Sequence, residues 1–376
     1  MKILHWLNTF LPDIGGIQTF TSNLLPFQRE QGHELLVIAD IGFRGAPETS
    51  LQGDVPIHRF NMIRPLQNRN PKELLLTKIA IQKLIKSFDP DVIHMQPSGP
   101  ELVYAQQVFR LIKKPLVVTI QASFDSIELQ TEKRSSLGAF IKQANQVIAV
   151  STDVKKWMGL AFELLADEIG VIPNAIPLQD IARTPLPFDL PILLALCRLD
   201  PQKNLSCLLR AFQIVFQNHP QARLIIGGSG SEKVKLKALA GELGLDDAVD
   251  FLGWVDPQEV PRLLNQSTVY ASSSDYEGLS LSVLEAAQMA RPIVATAADG
   301  MSEVVQDGVT GYLVEPNDHA NMAEAICRLL ANREQAQAFG NAGREHVESA
   351  FGMAQTSASY DQVYREVARV NYEVAI

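Results

Sequence analysis

Short apolar runs alternate with amphipathic segments along the whole sequence. Runs such as MKILHWL, HELLVIA and PLVVTI in the first half, and PILLALC, ARLIIGG and RPIVAT in the second half, consist mostly of apolar residues. Strands buried on both faces and separated by helices form parallel sheets with right-handed crossovers. The pattern therefore predicts an α/β fold with doubly wound parallel sheets.

The chain has 376 residues, which is too long for one ordinary core. Four prolines interrupt regular structure in residues 177–191, so we expect a linker there. We predict an N-terminal domain over 1–176 and a C-terminal domain over 192–354, with a final helix over 355–376. Ligands of such sheets bind beyond the carboxyl ends of the strands, so we expect a site in the cleft between two facing domains.

Composition excludes several classes of protein. The net charge of −9 argues against nucleic-acid binding, which needs clustered positive charge. The three cysteines are too few and too far apart for a disulfide framework or a zinc cluster. The first residues do not match a signal peptide, and no apolar stretch is long enough to span a bilayer. We therefore expect a cytoplasmic protein.

Two cations follow the strand PILLALC. Arg198 and Lys203 lie five residues apart, immediately before a helix expected to begin near Asn204. Two cations beside a helix N-terminus can hold a diphosphate. The alternative is that both are solvated surface charges.

Two carboxylates flank the start of a later helix, in the stretch EGLSLSVLEA. Glu277 falls in the loop before that helix, and Glu285 falls within its first two turns among apolar neighbours. An ionised carboxylate accepts hydrogen bonds from vicinal hydroxyls such as those of a ribose or a hexose. Between the two carboxylates, helix-start amides suit phosphate or sugar oxygens, and they belong to Gly278, Leu279, Ser280 and Leu281. The alternatives are a charge that complements the helix dipole and a solvated residue.

Glycine pairs follow two strands. Gly15 and Gly16 open a helix, where a backbone can approach an anion, although a tight turn explains them equally well. Gly228 and Gly230 imitate a dinucleotide fingerprint, but Lys233 occupies the position of its third glycine.

His94 and Gln121 end strands of the first half. His94 is either a ligand contact or a strand-end histidine without a ligand.

The helical segment 71–88 carries Lys72, Lys83 and Lys86 among exposed apolar positions. A basic face with interspersed apolar residues suits an anionic membrane surface, and the alternative is a crossover helix that touches a neighbouring loop.

Several motifs in order resemble one family. The segments GGIQTF, IPNAI, CRLDPQKN, GGSGSE, FLGWV, EGLSLSVLEA and GMSEVVQDGVTGYLV resemble the family-four retaining glycosyltransferases of GT-B fold, over almost the whole chain. The resemblance implies two Rossmann-like domains that face each other across a cleft, with the acceptor bound by the N-terminal domain and the nucleotide sugar by the C-terminal one. It further implies that the final helix returns to the N-terminal domain. It also implies transfer of a sugar from a nucleoside-diphosphate donor to a glycan, lipid-linked or small-molecule hydroxyl, as in polysaccharide or glycoconjugate biosynthesis.

The resemblance assigns roles to matching positions. Arg198 and Lys203 would neutralise the leaving diphosphate, and no bound metal or cofactor would be needed. Glu285 would hold the ribose, and Glu277 would contact the donor sugar beside the amides of residues 278–281. Further donor contacts would come from Gly15, Gly16, Gly228, Gly253, Trp254 and Val255, of which the last three would border the base.

Two departures from the family pattern stand out. Gln121 occupies a position where a histidine is usual, and glutamine cannot shuttle a proton near neutral pH. His94 and Asp125 are the candidates to compensate on the sugar and acceptor side. Asp299 stands where a glycine pair is usual. Two alternatives stay open. One is a sugar-nucleotide isomerase of the same fold, which would need acid-base residues and is weakened by Gln121. The other is a non-catalytic sugar-nucleotide-binding homologue, which Gln121 supports.

Overall fold

A computed structural model describes residues 1–42, 46–121 and 136–374. The chain divides into two compact units. Unit 1 comprises residues 1–174 and 353–376, and unit 2 comprises residues 175–352. Unit 1 is therefore built from both ends of the chain, whereas unit 2 is one continuous stretch.

Unit 1 contains an eight-stranded sheet with the order β3-β4-β2-β1-β5-β6-β7-β8. All neighbours pair in parallel except β3, which pairs antiparallel with β4. The strands are β1 Lys2–Leu7, β2 Glu34–Asp40, β3 Thr49–Gln52, β4 Val55–Phe60, β5 Val92–Gln96, β6 Leu116–Ile120, β7 Gln146–Ala149 and β8 Ile169–Val171.

Helices connect most of these strands. They are α1 Gly16–Glu30, α2 Ile63–Gln67, α3 Pro71–Phe88, α4 Glu101–Phe109, α5 Ser136–Ile141 and α6 Thr152–Phe162, with a 3₁₀ turn at Ala166–Glu168. The central strands β1, β5 and β6 are buried along almost their whole length, as expected for a parallel sheet covered on both faces.

Unit 2 contains a six-stranded parallel sheet with the order β11-β10-β9-β12-β13-β14. Its strands are β9 Ile192–Leu196, β10 Arg223–Gly227, β11 Val249–Gly253, β12 Val269–Ser272, β13 Ile293–Thr296 and β14 Gly311–Val314. Its helices are α7 Leu205–Asn218, α8 Lys233–Glu242, α9 Val260–Gln266, α10 Leu281–Gln288, α11 Met301–Val304, α12 His319–Ala331 and α13 Arg333–Ala350. Short 3₁₀ turns occur at Pro201–Lys203 and Pro257–Glu259.

The proline-rich segment 177–191, where the sequence predicts a linker, lies within unit 2. Leu186 is buried in the core of that unit. The buried Arg291 donates from Nη2 to the carbonyl oxygen of Thr184 at 2.7 Å, and Thr184 also contacts Asn265. The prolines keep this segment free of helix and strand, and these contacts fix it to the surface of the sheet domain.

The last helix, α14 (Met353–Val374), belongs to unit 1. Its Tyr360 and Tyr364 are fully buried. The Tyr364 hydroxyl is hydrogen-bonded to Nδ1 of His94 at 2.7 Å, and the Tyr360 hydroxyl to Oγ1 of Thr119 at 3.2 Å. The helix is therefore an integral part of this unit.

Candidate active site in unit 2

The loops that follow β9 and β12 meet at the carboxyl edge of the unit 2 sheet, because these two strands are neighbours. The Ser273 hydroxyl donates to the carbonyl oxygen of Lys203 at 2.9 Å. The Gln202 side-chain amide donates to the carbonyl oxygen of Tyr276 at 2.9 Å, and the Asp275 N–H donates to the Gln202 carbonyl oxygen at 2.9 Å. Two motifs that are far apart in sequence therefore form one site.

Lys203 and Glu277 form an ion pair at the centre of this site. Their side chains are only 14% and 10% exposed. Oε1 of Glu277 also accepts a hydrogen bond from the Ser274 hydroxyl at 3.0 Å. Opposite charges that are shielded from water interact more strongly than surface pairs, so the two side chains hold each other in place.

Lys203 is held at the start of α7. It ends a 3₁₀ turn, and the following Asn204 has a left-handed backbone conformation with φ of 41°. The Asn204 side chain accepts a hydrogen bond from the Cys207 N–H at 3.3 Å and so caps α7. The ammonium group of Lys203 therefore lies near the positive end of a helix, where an anion is favoured.

Glu285 lies in the second turn of α10, on the other side of the helix start. Its carboxyl group makes no hydrogen bond or ion pair within the part of the chain that the structure describes. Burial raises the pKa of this group to about 7. Glu285 is half-buried. A partly desolvated carboxyl group without a partner is unfavourable for folding, so its oxygens are available to a ligand.

The N-terminus of α10 faces the same loop. Ser280 is its N-cap, yet the Ser280 side chain does not cap the helix. A small pocket lies nearby, lined by Cys197, Lys203, Ser274, Glu277, Ser280 and Ser282. Helix-start amides, hydroxyls, a cation and a carboxylate therefore converge at one edge of the sheet.

Arg198 lies two residues beyond β9. Its side chain is 55% exposed and forms an ion pair with Asp200. It also donates weakly to Oε1 of Gln202 at 3.5 Å. The guanidinium group is close to the Lys203 loop and can be reached by a ligand from solvent.

Gly228 and Gly230 allow two backbone segments to cross closely. A Cβ at Gly228 would lie 1.8 Å from the carbonyl oxygen of Cys197, and one at Gly230 would lie 2.4 Å from that of Leu199. Gly228 also has φ of 142°, which L side chains rarely adopt. The close crossing of the two backbone segments therefore requires glycine at both positions, whether or not Gly228 also contacts a ligand.

Gly253, Trp254 and Val255 follow β11 beside this crossing. The Gly228 N–H donates to the Gly253 carbonyl oxygen at 2.6 Å. Trp254 is 46% exposed, and the Val255 side chain lies against Gly227. This segment therefore adjoins the glycine loop and carries an accessible aromatic ring.

Sequence reasoning missed two residues that hold the Glu277 loop. The Glu277 N–H donates to Oδ2 of Asp299 at 3.3 Å, and Gln202 makes the contacts described above. Asp299 was visible in the sequence only as a departure from a family pattern. Gln202 carried no signal, because a surface glutamine is common in any loop.

Gln121 lies at the carboxyl end of β6 in unit 1, within a row of side-chain amides. It donates to Oε1 of Gln96 and accepts from the Asn174 side chain, both at 2.8 Å. Gln96 in turn donates to Oγ1 of Thr21 at 2.9 Å. Both ends of the Gln121 amide thus contact other residues of the chain.

His94 is buried in the middle of β5, and not at its end as the sequence suggested. Its Nδ1 and Nε2 are hydrogen-bonded to Tyr364 and Thr119. Burial holds the pKa of His94 well below its usual range. A neutral histidine with both nitrogens occupied supports the interpretation of a core residue, and it argues against a ligand contact. Asp125, the other candidate, lies outside the described residues.

Gly15 and Gly16 stand at the start of α1. Gly15 is the N-cap and has an extended backbone, with no side-chain cap on the helix. A Cβ at Gly16 would meet nothing within 4 Å, so open space lies beside it. The turn therefore leaves the helix start accessible.

Two features are absent from the described residues. They contain no cluster of three or more His, Cys, Asp or Glu side chains that could bind a metal ion. Within the same residues, no helix combines the length and apolar character required to cross a membrane.

Comparisons with known proteins cover nearly all of the chain. A family model described as Glycosyl transferases group 1 matches residues 179–346, and one described as Glycosyltransferase Family 4 matches residues 14–180. The phosphatidyl-myo-inositol mannosyltransferase of Mycobacterium leprae is 27% identical over 372 residues, which cover 96% of each chain.

Solved structures of other proteins have the same fold as this chain. Sucrose-phosphate synthase from Thermosynechococcus elongatus has a TM-score of 0.84 at 20% identity, covering 98% of this chain and all of the other. Anabaena HepE in complex with UDP-glucose has a TM-score of 0.79 at 21% identity, covering 97% of this chain and all of the other. At such identities the likeness is one of fold.

Proposed function

Because the chain belongs to the group 1 glycosyltransferases and has their GT-B fold, we propose that it transfers a sugar from a nucleoside-diphosphate donor to an acceptor hydroxyl with retained anomeric configuration. The donor binds at the carboxyl edge of the unit 2 sheet. The crystallised relative that holds UDP-glucose supports a nucleotide sugar as donor.

Glu285 is the observation that carries this proposal. A carboxyl group placed in the second turn of α10 without a partner destabilises the free protein, and it pairs well with two vicinal hydroxyls. A ribose supplies such a diol. Glu285 therefore holds the ribose of the donor.

The phosphates of the donor lie between the start of α10 and the cations. Lys203 and the exposed Arg198 neutralise the charge that develops on the leaving diphosphate, and the helix-start amides add hydrogen bonds. In this proposal no metal ion is needed, so transfer persists in the presence of a chelator.

Glu277 contacts the donor sugar and does not attack it. Its carboxylate is already occupied by Lys203 and Ser274, which reduces its strength as a nucleophile. In the reaction the bond between the anomeric carbon and the diphosphate breaks, and the acceptor oxygen bonds to that carbon on the same face. The acceptor proton passes to the leaving diphosphate oxygen, so Gln121 does not need to shuttle a proton.

The acceptor is a lipid-linked or glycan hydroxyl presented at an anionic membrane surface. The relative from Mycobacterium leprae bears a phospholipid in its name. Helix α3 exposes Leu75, Leu76 and Ile79 by 50%, 56% and 37%. Exposed apolar residues beside lysines are typical of helices that lie on anionic membranes.

A panel of nucleotide sugars tests the donor assignment. The purified protein is incubated with each donor, and release of free nucleoside diphosphate is measured with and without a chelator. We expect release with at least one donor, and anomeric NMR of the product should show the configuration of the donor. A folded protein that neither binds nor turns over any donor would contradict the proposal.

Glu277→Ala tests the site. We expect a fall in kcat of about 100-fold or more, because a contact to the reacting sugar is lost. Glu259→Ala is the matched control, since Glu259 is an exposed carboxylate of the same unit that pairs with Arg262. Circular dichroism checks that both variants fold. Equal activity of the two variants would refute the assignment of Glu277.

A further inference from the structure

The Glu277 loop lacks regular structure of its own. Residues 273–280 connect β12 to α10 without helix or strand. The position of Glu277 therefore depends on contacts from the neighbouring strand ends. In the sheet, β12 lies between β9 and β13, so these contacts come from the loops after those two strands.

On the β9 side, Gln202 and Lys203 hold the loop. Gln202 contacts Asp275 and Tyr276, the two residues before Glu277, each at 2.9 Å. Lys203 pairs with the carboxylate itself. The contacts of Gln202 therefore fix the backbone just before Glu277, and Lys203 fixes the Glu277 carboxylate.

On the β13 side, Asp299 holds the backbone of Glu277. Oδ2 of Asp299 accepts the Glu277 N–H at 3.3 Å. Next to this contact, the Thr296 hydroxyl donates to the Ser274 carbonyl oxygen at 2.5 Å. Both contacts come from the end of β13 and the segment just after it, so the loop is held from both sides.

The backbone of Asp299 is left-handed, with φ of 32°. Glycine adopts this region without steric cost, whereas other residues adopt it at a cost. Asp299 thus occupies a position that glycine would suit better, and its carboxylate makes the contact that glycine could not make. A non-glycine residue in such a conformation is a reason to look for a role.

We propose that Asp299 is a positioning residue, which aims the Glu277 carboxylate at the donor sugar by holding the Glu277 backbone N–H. This inference rests on the proposed function, because it assumes that Glu277 contacts the sugar. Asp299 sets the geometry of transfer and leaves the binding of the nucleotide to Glu285, Lys203 and Arg198.

Three substitutions separate the contact from the backbone conformation. Asp299→Asn keeps an oxygen acceptor and tolerates the left-handed region, so its kcat should stay within about threefold of the wild type. Asp299→Ala removes the acceptor and keeps the strain, and Asp299→Gly removes both. We expect kcat to fall about tenfold or more in these two variants, since small misplacements of a group at the reacting centre are costly.

Inhibition by the free nucleoside diphosphate is the second measurement. Its inhibition constant should stay within about twofold in all three variants, because neither the Asp299 carboxylate nor the Glu277 side chain contacts the nucleotide. A loop that had merely loosened would weaken nucleotide binding together with kcat. Glu163→Gly is the matched control for relief of backbone strain, since the exposed Glu163 of unit 1 has φ of 58° and lies outside the proposed site.

The inference is overturned if Asp299→Ala and Asp299→Gly both keep kcat within about twofold, or if Asp299→Asn is as impaired as Asp299→Ala. It is also overturned if nucleotide inhibition weakens in step with kcat. A wild-type protein that transfers no sugar from any donor would instead contradict the proposed function. Should Asp299→Gly fail to fold, the comparison of the Asn and Ala variants still decides.

Discussion

Single residues in this protein show where folding and ligand binding have opposite requirements. Glu285 is costly in the free protein, because its half-buried carboxyl group is partly desolvated and has no partner among the described residues. A glutamine or an apolar residue at this position would serve folding better. Because Glu285 lowers the stability of the free protein, we interpret it as part of a binding site. The strained backbone of Asp299 is interpreted in the same way.

Glu285→Gln should increase stability at high pH. In the folded protein burial raises the pKa of Glu285 to about 7, so the folded state keeps a proton that the unfolded chain releases near pH 4.5. The free energy of unfolding of the wild type therefore falls as the pH rises from about 4.5 to 7 through this group. In the variant the free energy of unfolding does not fall in this way, because glutamine does not titrate. We expect the variant to be more stable than the wild type by about 1–3 kcal/mol at pH 8.

Chemical denaturation of both proteins at pH 5 and pH 8 measures this effect. Glu101, whose burial also raises its pKa to about 7, is present in both and cancels in the difference. The variant should at the same time bind the donor more weakly, because an amide oxygen replaces two carboxylate oxygens. A variant that gains no stability at pH 8 over pH 5 would show that Glu285 is solvated.

At the scale of elements, the sequence predicts the central strands and misses the marginal ones. Every apolar run identified in the sequence is a strand, because continuous burial leaves a strong signal. The strands β3 and β4 lack that signal, since the residues of β3 alternate between exposed and partly buried positions and those of β4 between buried and partly buried ones. The three-residue β8 is too short to produce a periodic pattern.

The sequence likewise predicts some features of the site and misses others. The sequence alone assigns Glu277 to a loop and Glu285 to a helix, since the strand exit and the apolar helix around them have clear patterns. The burial of His94 could not be predicted. It depends on Tyr360 and Tyr364, whose helix lies more than 250 positions later in the chain.

Helix α3 is the element that we expect to bind anionic membranes. At 100° per residue, Lys72, Lys83 and Lys86 fall on one arc of about 100° with the exposed Leu75, Leu76 and Ile79. Replacing the three lysines by alanine should weaken binding to phosphatidylglycerol vesicles about 100-fold, because each lysine near such a surface contributes about 1 kcal/mol. Sedimentation with vesicles measures the change.

The control variant replaces the exposed Lys113, Lys142 and Lys237, which lie outside α3. It should bind as the wild type does, and neutral phosphatidylcholine vesicles should bind neither protein strongly. If the two triple variants lose binding equally, net charge alone would explain the effect and α3 would have no special part.

At the scale of the whole molecule, the two units differ in how the chain builds them. Unit 2 is continuous over residues 175–352, whereas unit 1 needs α14 from the end of the chain. Without α14, Nδ1 of the buried His94 loses its hydrogen bond to Tyr364 and Thr119 loses its hydrogen bond to Tyr360, while the bond between His94 Nε2 and Thr119 remains. Buried polar groups without partners are costly, so unit 1 should not be stable alone.

Truncation tests this difference. Residues 175–352 expressed alone should unfold in one cooperative thermal transition. A chain ending at residue 352 should keep that transition, lose the one that belongs to unit 1, and bind a hydrophobic dye such as ANS. Calorimetry with limited proteolysis measures both. A chain ending at residue 352 that keeps both transitions at wild-type temperatures would show that α14 is dispensable.

The split construction of unit 1 also sets an order of events during synthesis. The first 174 residues leave the ribosome early, and roughly 180 residues follow before α14 is made. At about 5–20 residues per second this is a delay of roughly 10–40 s. Throughout that time the nascent sheet of unit 1 lacks the helix that completes it, while the later unit can already fold. Unit 1 can therefore be completed only after the whole of unit 2 has been translated.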